Sequence, residues 1–193
     1  MIQTLIKDHI GQHIRTMEMV AVSMVDDIER CCRLLTDTLR QGKKILLMGN
    51  GGSAADAQHF SAELVGRFIL ERRALPAIAL STDTSILTAV GNDYGFDEIF
   101  KRQVEALAAP GDTVVGISTS GRSGNVYHAL AAARAIGCNT VGLLGRDGGT
   151  IAGIVDVNLC VPVNFTPHIQ EAHVTIIHIL CDLIEKQLFS DHS

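Results

Sequence analysis

The chain has 193 residues, 47% of them hydrophobic, and a formal net charge of -5 at pH 7. That is enough apolar content for one domain with an appended helical arm, and too much for a disordered protein. The acidic balance and the lack of any Lys/Arg-rich run argue against a nucleic acid held through its phosphates, and an aromatic content of 4% without tryptophan argues against a stacking surface for single strands.

The first residues, MIQTLIKDHIGQH, are broken by charges and do not read as a secretion signal; no stretch of the chain reads as a membrane span. Residues 2 to about 41 read as two helices. Leu5, Ile10, Ile14, Met17 and Val20 are spaced for one apolar stripe, and Ile28, Cys31, Leu35 and Leu39 for another. No strand precedes them, so this arm has to bury its stripe on the main domain or on another subunit. His9 and His13 also lie here, with no anion-binding turn nearby, and read as structural. The pattern then changes. KKILLMGNGG is a short apolar strand ending in glycines, and PAIAL (76–80), DTVVGIS (112–118), NTVGLLG (139–145) and VNLCVPV (157–163) are four more such runs. Helices are expected over 53–70, over about 83–107 with a break at GNDYG, over 123–136 and over about 168–189. GRDGGTIAG (145–153) reads as a loop plus a short helix. Buried strands alternating with helices predict an α/β fold, a mostly parallel five-stranded sheet covered on both faces. The five cysteines (Cys31, Cys32, Cys138, Cys160 and Cys181) include no CxxC and read as free thiols of a cytoplasmic protein.

Ligands of such sheets bind where strands lead into helices, and two loops have suitable chemistry. The first is Gly49-Asn50-Gly51-Gly52-Ser53. Its glycines let backbone approach a ligand, and the N–H groups of the next helix point at it. The second, Ser118-Thr119-Ser120-Gly121-Arg122-Ser123, gathers hydroxyls and N–H groups in one small volume, which suits a phosphate monoester better than it suits a simple helix cap. A P-loop is excluded because no lysine follows Gly52. The dinucleotide pattern G-x-G-x-x-G/A is nominally met by Gly49, Gly51 and Ala54, but the nearest acidic residue for a ribose, Asp83, lies well beyond the usual distance. In the helix begun by the first loop, His59 and Glu63 share one face, and Arg67 continues that stripe. A surface Glu63–Arg67 ion pair is the plain reading; a site pair is the alternative, favoured by the anion-type turn at the start of the same helix. The last helix carries His168, Gln170, Glu171, His173 and His178, the last of these in a segment that reads as buried all round. A buried imidazole needs a partner, and periodicity leaves open whether that partner is a hydrogen-bonding group or a metal.

GNGGSAADAQHFSAEL, ALSTDTSILTAVGNDYGF, GISTSGRSGN, and IQEAH with a further histidine at 178, taken in that order, resemble the phosphoheptose isomerases of the SIS superfamily, from about residue 40 to 189. The resemblance implies a SIS-type, flavodoxin-like α/β/α sandwich over residues 42–193 behind an oligomerisation arm over 1–41, and a cytoplasmic homotetramer without nucleic-acid or membrane partners. It implies an enzyme that converts sedoheptulose 7-phosphate to D-glycero-D-manno-heptose 7-phosphate, the first step towards ADP-heptose for lipopolysaccharide core or other surface glycans. Substrate contacts are implied for Asn50, Gly51, Gly52, Ser53, Glu63, Asn92, Asp93, Ser118, Thr119, Ser120, Ser123 and Gln170. One zinc ion per subunit is implied at His59, Glu63, Gln170 and His178, with Glu63 and His178 as the acid–base pair. Relatives by fold include a non-catalytic protein that binds the replication initiator. Its branch lacks counterparts of Glu63 and His178, so the presence of both favours the enzyme over a module binding that partner or a sugar-phosphate effector. Many members carry Arg just before Ile-Gln-Glu; here that residue is His168, and no substrate contact is carried over to it. Gln170 and His178 are separated by ~12 Å along a helix axis, so a shared ion would have to sit between their extended side chains.

Overall fold

The computed structural model describes residues 1–189, so the end of the expected 42–193 domain lies outside the described residues. Helices α1 (Ile2–Ser23) and α2 (Val25–Arg40) form the predicted arm. Helix α2 has Asp26 and Asp27 in its first turn and Arg40 in its last, each the sign that the helix dipole favours. Its stripe of Ile28, Cys31, Leu35 and Leu39 is buried. The stripe of α1 divides. Val20 is buried, while Leu5, Ile10 and Ile14 stay 58%, 56% and 51% exposed. The chain itself leaves that half of the stripe uncovered.

Five parallel strands follow: β1 (Ile45–Gly49), β2 (Ala77–Ala79), β3 (Thr113–Ser118), β4 (Asn139–Gly145) and β5 (Val157–Val161), in the order β2-β1-β3-β4-β5. Every residue of the inner strands β1 and β3 is buried, which is why both read as continuous apolar runs. The edge strand β5 alternates, with Val157, Leu159 and Val161 buried. Among the described residues no helix is long and apolar enough to cross a membrane.

The connecting helices are α3 (Gly52–Val65), α4 (Thr84–Tyr94), α5 (Lys101–Leu107), α6 (Gly124–Ile136) and α7 (Thr166–Phe189), with a 3-10 turn at Phe96–Glu98. Helix α6 stops at Gly137, whose φ of 91° makes a left-handed cap. Two expectations are corrected. Helix α3 ends at Val65 instead of residue 70, because Gly66 leaves the helical region at ψ -107°. Of residues 145–153, Gly145 ends β4 and 146–153 run through successive turns with no helix.

The sheet separates two cores. Ile45 and Leu47 point to the face covered by α2, α3 and α7, where they meet Leu35, Phe60 and Ile176. Leu46 and Met48 point to the other face, against Phe100, Val104, Val126 and Leu130 of the α5–α6 side. Helix α3, which follows β1, and helix α6, which follows β3, therefore lie on opposite faces although their strands are neighbours. Folds of this kind place a ligand crevice at the loops on the carboxyl ends of such strands, the switch point of the sheet.

Candidate active site

Gly49 pairs with Ile117 in the β1–β3 ladder, so Asn50 and Ser118 leave the sheet side by side. The two loops are then tied together. Asn50 Nδ2 donates to Asn125 Oδ1 at 2.9 Å, and Asn125 Nδ2 returns the bond to Asn50 Oδ1 at 2.8 Å. Asn125 is buried and also accepts from the Val126 N–H. The sequence reading passed over it, because an amide in the first turn of a helix resembles an ordinary capping residue.

In the second loop two of the hydroxyls meet, while that of Ser120 accepts from the Arg122 N–H at 3.2 Å. Ser118 Oγ lies 2.9 Å from Ser123 Oγ and accepts from the Gly121 N–H at 3.1 Å. Gly121 has φ 65°, and a Cβ there would collide with the backbone of Gly148. The turn over 145–149 therefore backs the serine loop and fixes its shape. Ser123 is the N-cap of α6 and Gly51 the N-cap of α3, yet neither helix start receives a side-chain cap bond. Ser123 uses its hydroxyl on Ser118 instead, so the serines are not there to cap the helix. The loop's one cation, exposed Arg122, is engaged by Asp147 at 2.6 Å. What the crevice offers an anion is thus a set of neutral donors: hydroxyls and backbone N–H groups. Thr119 and Ser120 are half-buried, and Ser53 is buried.

On the α3–α7 side the structure gathers His59, Glu63 and His178. His59 Nε2 lies 2.8 Å from His178 Nε2, with the rings edge to face. Glu63 Oε1 stands 3.6 Å from the opposite nitrogen of His59, Nδ1. The Phe68 ring packs 5.4 Å from His178. His178 is half-buried, not enclosed as its apolar neighbours suggested. The fully buried imidazole is His173, which donates Nε2–H to the Leu144 carbonyl at 2.8 Å; burial pushes its pKa down to about 4 and keeps it neutral. Asp56, one turn before His59, was also missed. Burial pushes its carboxyl up to about 6 against the pull of His59, and its Oδ2 is buried without a partner.

The Glu63–Arg67 helix pair does not form, because Arg67 lies beyond the end of α3 and its carboxylate neighbour is Glu71 at 3.5 Å. Arg72 takes charge of that helix end. Its guanidinium donates to the carbonyls of Glu63, Leu64, Gly66 and Arg73. Glu185 of α7 accepts from Arg72 Nε at 2.8 Å and from the N–H groups of Phe68, Ile69 and Leu70. Burial alone would raise the Glu185 carboxyl, but the three backbone donors and Arg72 hold it below the usual carboxylate range.

Gln170 lies against the start of α3, where its amide fills the space that a side chain at Gly52 would occupy. Asn92 and Asp93, near the end of α4, are exposed and bonded to each other at 2.8 Å. Among the described residues no hydrogen bond joins them to either loop or to the histidine pair. Imidazole, carboxylate and amide donors suit zinc. The facing Nε2 atoms of His59 and His178 fit a shared ion, with Glu63 on the far nitrogen of His59 in the place of an orienting carboxylate. Gln170 makes its close approach at Gly52.

The chain is similar to known proteins over most of its length. The family model described as "SIS domain" matches residues 9–145. The chain is 67% identical over 174 residues to a phosphoheptose isomerase of Syntrophotalea carbinolica, covering 90% of this chain and 89% of that one. It is 65% identical over 186 residues to one of Geotalea daltonii, covering 96% and 97%. Among solved structures, the phosphoheptose isomerase of Neisseria gonorrhoeae superposes with a TM-score of 0.92 at 46% identity, over 96% of this chain and 100% of that chain.

Proposed function

The chain belongs to the SIS domain family and, within it, to the phosphoheptose isomerases, and from that premise we propose that it interconverts sedoheptulose 7-phosphate and D-glycero-D-manno-heptose 7-phosphate through an enediol. The observation that carries the reading is the convergence of Glu63 and His178 on His59, on the helix that starts at one of two neutral anion-binding turns. The crevice turns hold the phosphate, and α3 sets Glu63 three turns further along an extended sugar. The Glu63 carboxylate takes a proton from C1 of the ketose and returns it at C2, while His178 moves protons at the two oxygens. Gln170, Asn50, Ser53, Asn92 and Asp93 orient the chain of hydroxyls. Zinc held between His59 and His178 would supply Lewis-acid polarisation of the carbonyl when bound; the family resemblance adds Glu63 and Gln170 to the set, whereas here Glu63 stands on the far nitrogen of His59 and Gln170 lies against Gly52. Phosphate binding far from the reacting carbons contributes positioning energy.

The uncovered stripe of α1 supports assembly of the arm between subunits, and a homotetramer is the assembly proposed. The domain division at residue 42, a cytoplasmic location and a place at the head of ADP-heptose synthesis for surface glycans complete the reading. A module that merely bound the replication initiator or an effector would have no use for a carboxylate and an imidazole on one histidine. A coupled assay for the heptose 7-phosphate, run beside a pull-down with initiator protein, separates the two; capture of initiator without turnover would overturn the isomerase.

The phosphate site has its own test. Ser120→Ala removes one hydroxyl from a charged ligand, worth about 1.5 kcal/mol or more. The apparent KM is expected to rise by roughly tenfold or more with kcat little changed; an unchanged KM would place the phosphate elsewhere.

A further inference from the structure

Away from the crevice, the arm and the start of α7 bring together three donor groups that the isomerase chemistry does not use. His13 of α1 places Nδ1 2.8 Å from Glu171 Oε2, and His168 places its own Nδ1 2.8 Å from the same oxygen. His168 and Glu171 are three residues apart on α7 and share a face. All three donor atoms lie within 4.8 Å of one another. The His168 ring is buried, with the Phe165 ring at 4.9 Å and the His9 ring at 6.0 Å. His9, Ile10, His13, His168 and Glu171 line a cavity of roughly 320 Å³.

We propose that His13, His168 and Glu171 form a second divalent-metal site, selective for zinc-like ions and separate from the His59–His178 pair. Two imidazole nitrogens aimed at one carboxylate oxygen already point at a common centre. Donors at ordinary zinc distances stand about 3.3 Å apart around a tetrahedral ion, so the two nitrogens, 2.8 Å from the oxygen and within 4.8 Å of each other, have to draw back from it by about half an ångström to admit the ion in place of the two protons. Two imidazoles and one carboxylate suit zinc and disfavour calcium and magnesium, which take oxygen ligands. The cavity leaves room for a fourth ligand, water or the His9 imidazole at its wall. The ion would tie α1 to the first turns of α7, two elements otherwise joined here by the contact of the partly exposed His13 and Glu171, which holds weakly, and by His168 Nε2 at 3.4 Å from Gln12 Oε1. It would thus fasten the arm beside Gln170. The metal-free alternative is a hydrogen-bonded network in which both Nδ1–H groups donate to Glu171.

The test counts ions and does not depend on turnover. Full-length protein is stripped with chelator, reloaded with zinc, desalted and analysed for metal, in five forms: wild type, His13→Asn, Glu171→Gln, the double variant His59→Ala/His178→Ala, and that double variant with His13→Asn added. His13 is 38% exposed in its side chain, so its replacement leaves the fold intact, which far-UV circular dichroism checks. The double variant is expected to keep one zinc per chain and to lose it when His13→Asn is added. His13→Asn alone is expected to hold one zinc fewer than wild type, and Glu171→Gln to repeat that loss. Cobalt in the double variant should give the visible absorption of a four-coordinate ion, absent once His13 is replaced. A double variant that retains no zinc, or equal zinc with and without His13, overturns the site and leaves the isomerase assignment untouched. Loss of zinc from wild type on replacing His59 and His178, with no dependence on His13, would show the first site alone.

Discussion

Glu63→Gln and His178→Ala are each expected to remove conversion of sedoheptulose 7-phosphate, by on the order of a thousandfold or more in kcat, while the protein stays folded. Positioned acid–base groups contribute about 10²- to 10⁴-fold each, and glutamine keeps the shape of Glu63 without its basicity. Both positions are half-buried and neither belongs to the buried cores, so the thermal midpoint should move little. His178→Ala gives up the His59 contact and the Phe68 packing, a loss felt locally. The measurement is single-substrate kinetics on purified variants beside thermal melts. Retained turnover in either variant would remove it from the acid–base pair, and collapse of the melt would mean that the residue's first role is structural.

The second large effect lies in the buried pair at the end of α3. Arg72 and Glu185 are each 1% exposed in their side chains. Between them they satisfy four carbonyls and three N–H groups around residues 63–73. Replacing one partner leaves the other charge buried and unpaired, which costs about 3–5 kcal/mol. For a chain of this size that is a fall of roughly 10 °C in Tm. Glu185→Ala should also lower kcat, because the segment it holds carries Phe68 against His178 and its partner Arg72 binds the backbone of Glu63 itself. The control is the double replacement Arg72→Met/Glu185→Leu, which removes both charges and should recover the part of the loss due to the unpaired charge, though not the part due to the backbone groups left without partners. A double variant no more stable than either single one would show that the backbone bonds, not the ion pair, carry the effect.

What could be read from the chain beforehand follows from how each signal is encoded. The strands of the sheet were legible because inner strands covered on both faces carry unbroken apolar runs. The loops after β1 and β3 were legible because glycines and clustered hydroxyls have few other uses between a strand and a helix. The end of α3 was harder to place: Gly66 is where the helix breaks, but Arg67-Phe68-Ile69-Leu70 after it suits a helix as well as a loop, and its path depends on Arg72 and Glu185 meeting from distant parts of the chain. Asn125 was hidden for a similar reason: its reciprocal bond to Asn50 exists only once β1 and β3 lie in register. His9 and His13 read as structural because nothing local marks them; it takes the packing of α1 on α7 to bring His13 to His168 and Glu171. The family resemblance supplied the partnership of Glu63 with His178, which spacing alone left undecided.

The neutrality of the turn over residues 118–123 has a physiological corollary. An anion held by hydroxyl and backbone dipoles, beside an Arg122 already paired with Asp147, leaves little uncompensated charge for salt to screen. The substrate saturation curve should therefore shift little as sodium chloride is raised from low to moderate concentration, whereas a lysine-lined pocket would weaken steadily. Osmotic upshift in the cell would then leave this catalyst's grip on its phosphoester nearly unchanged.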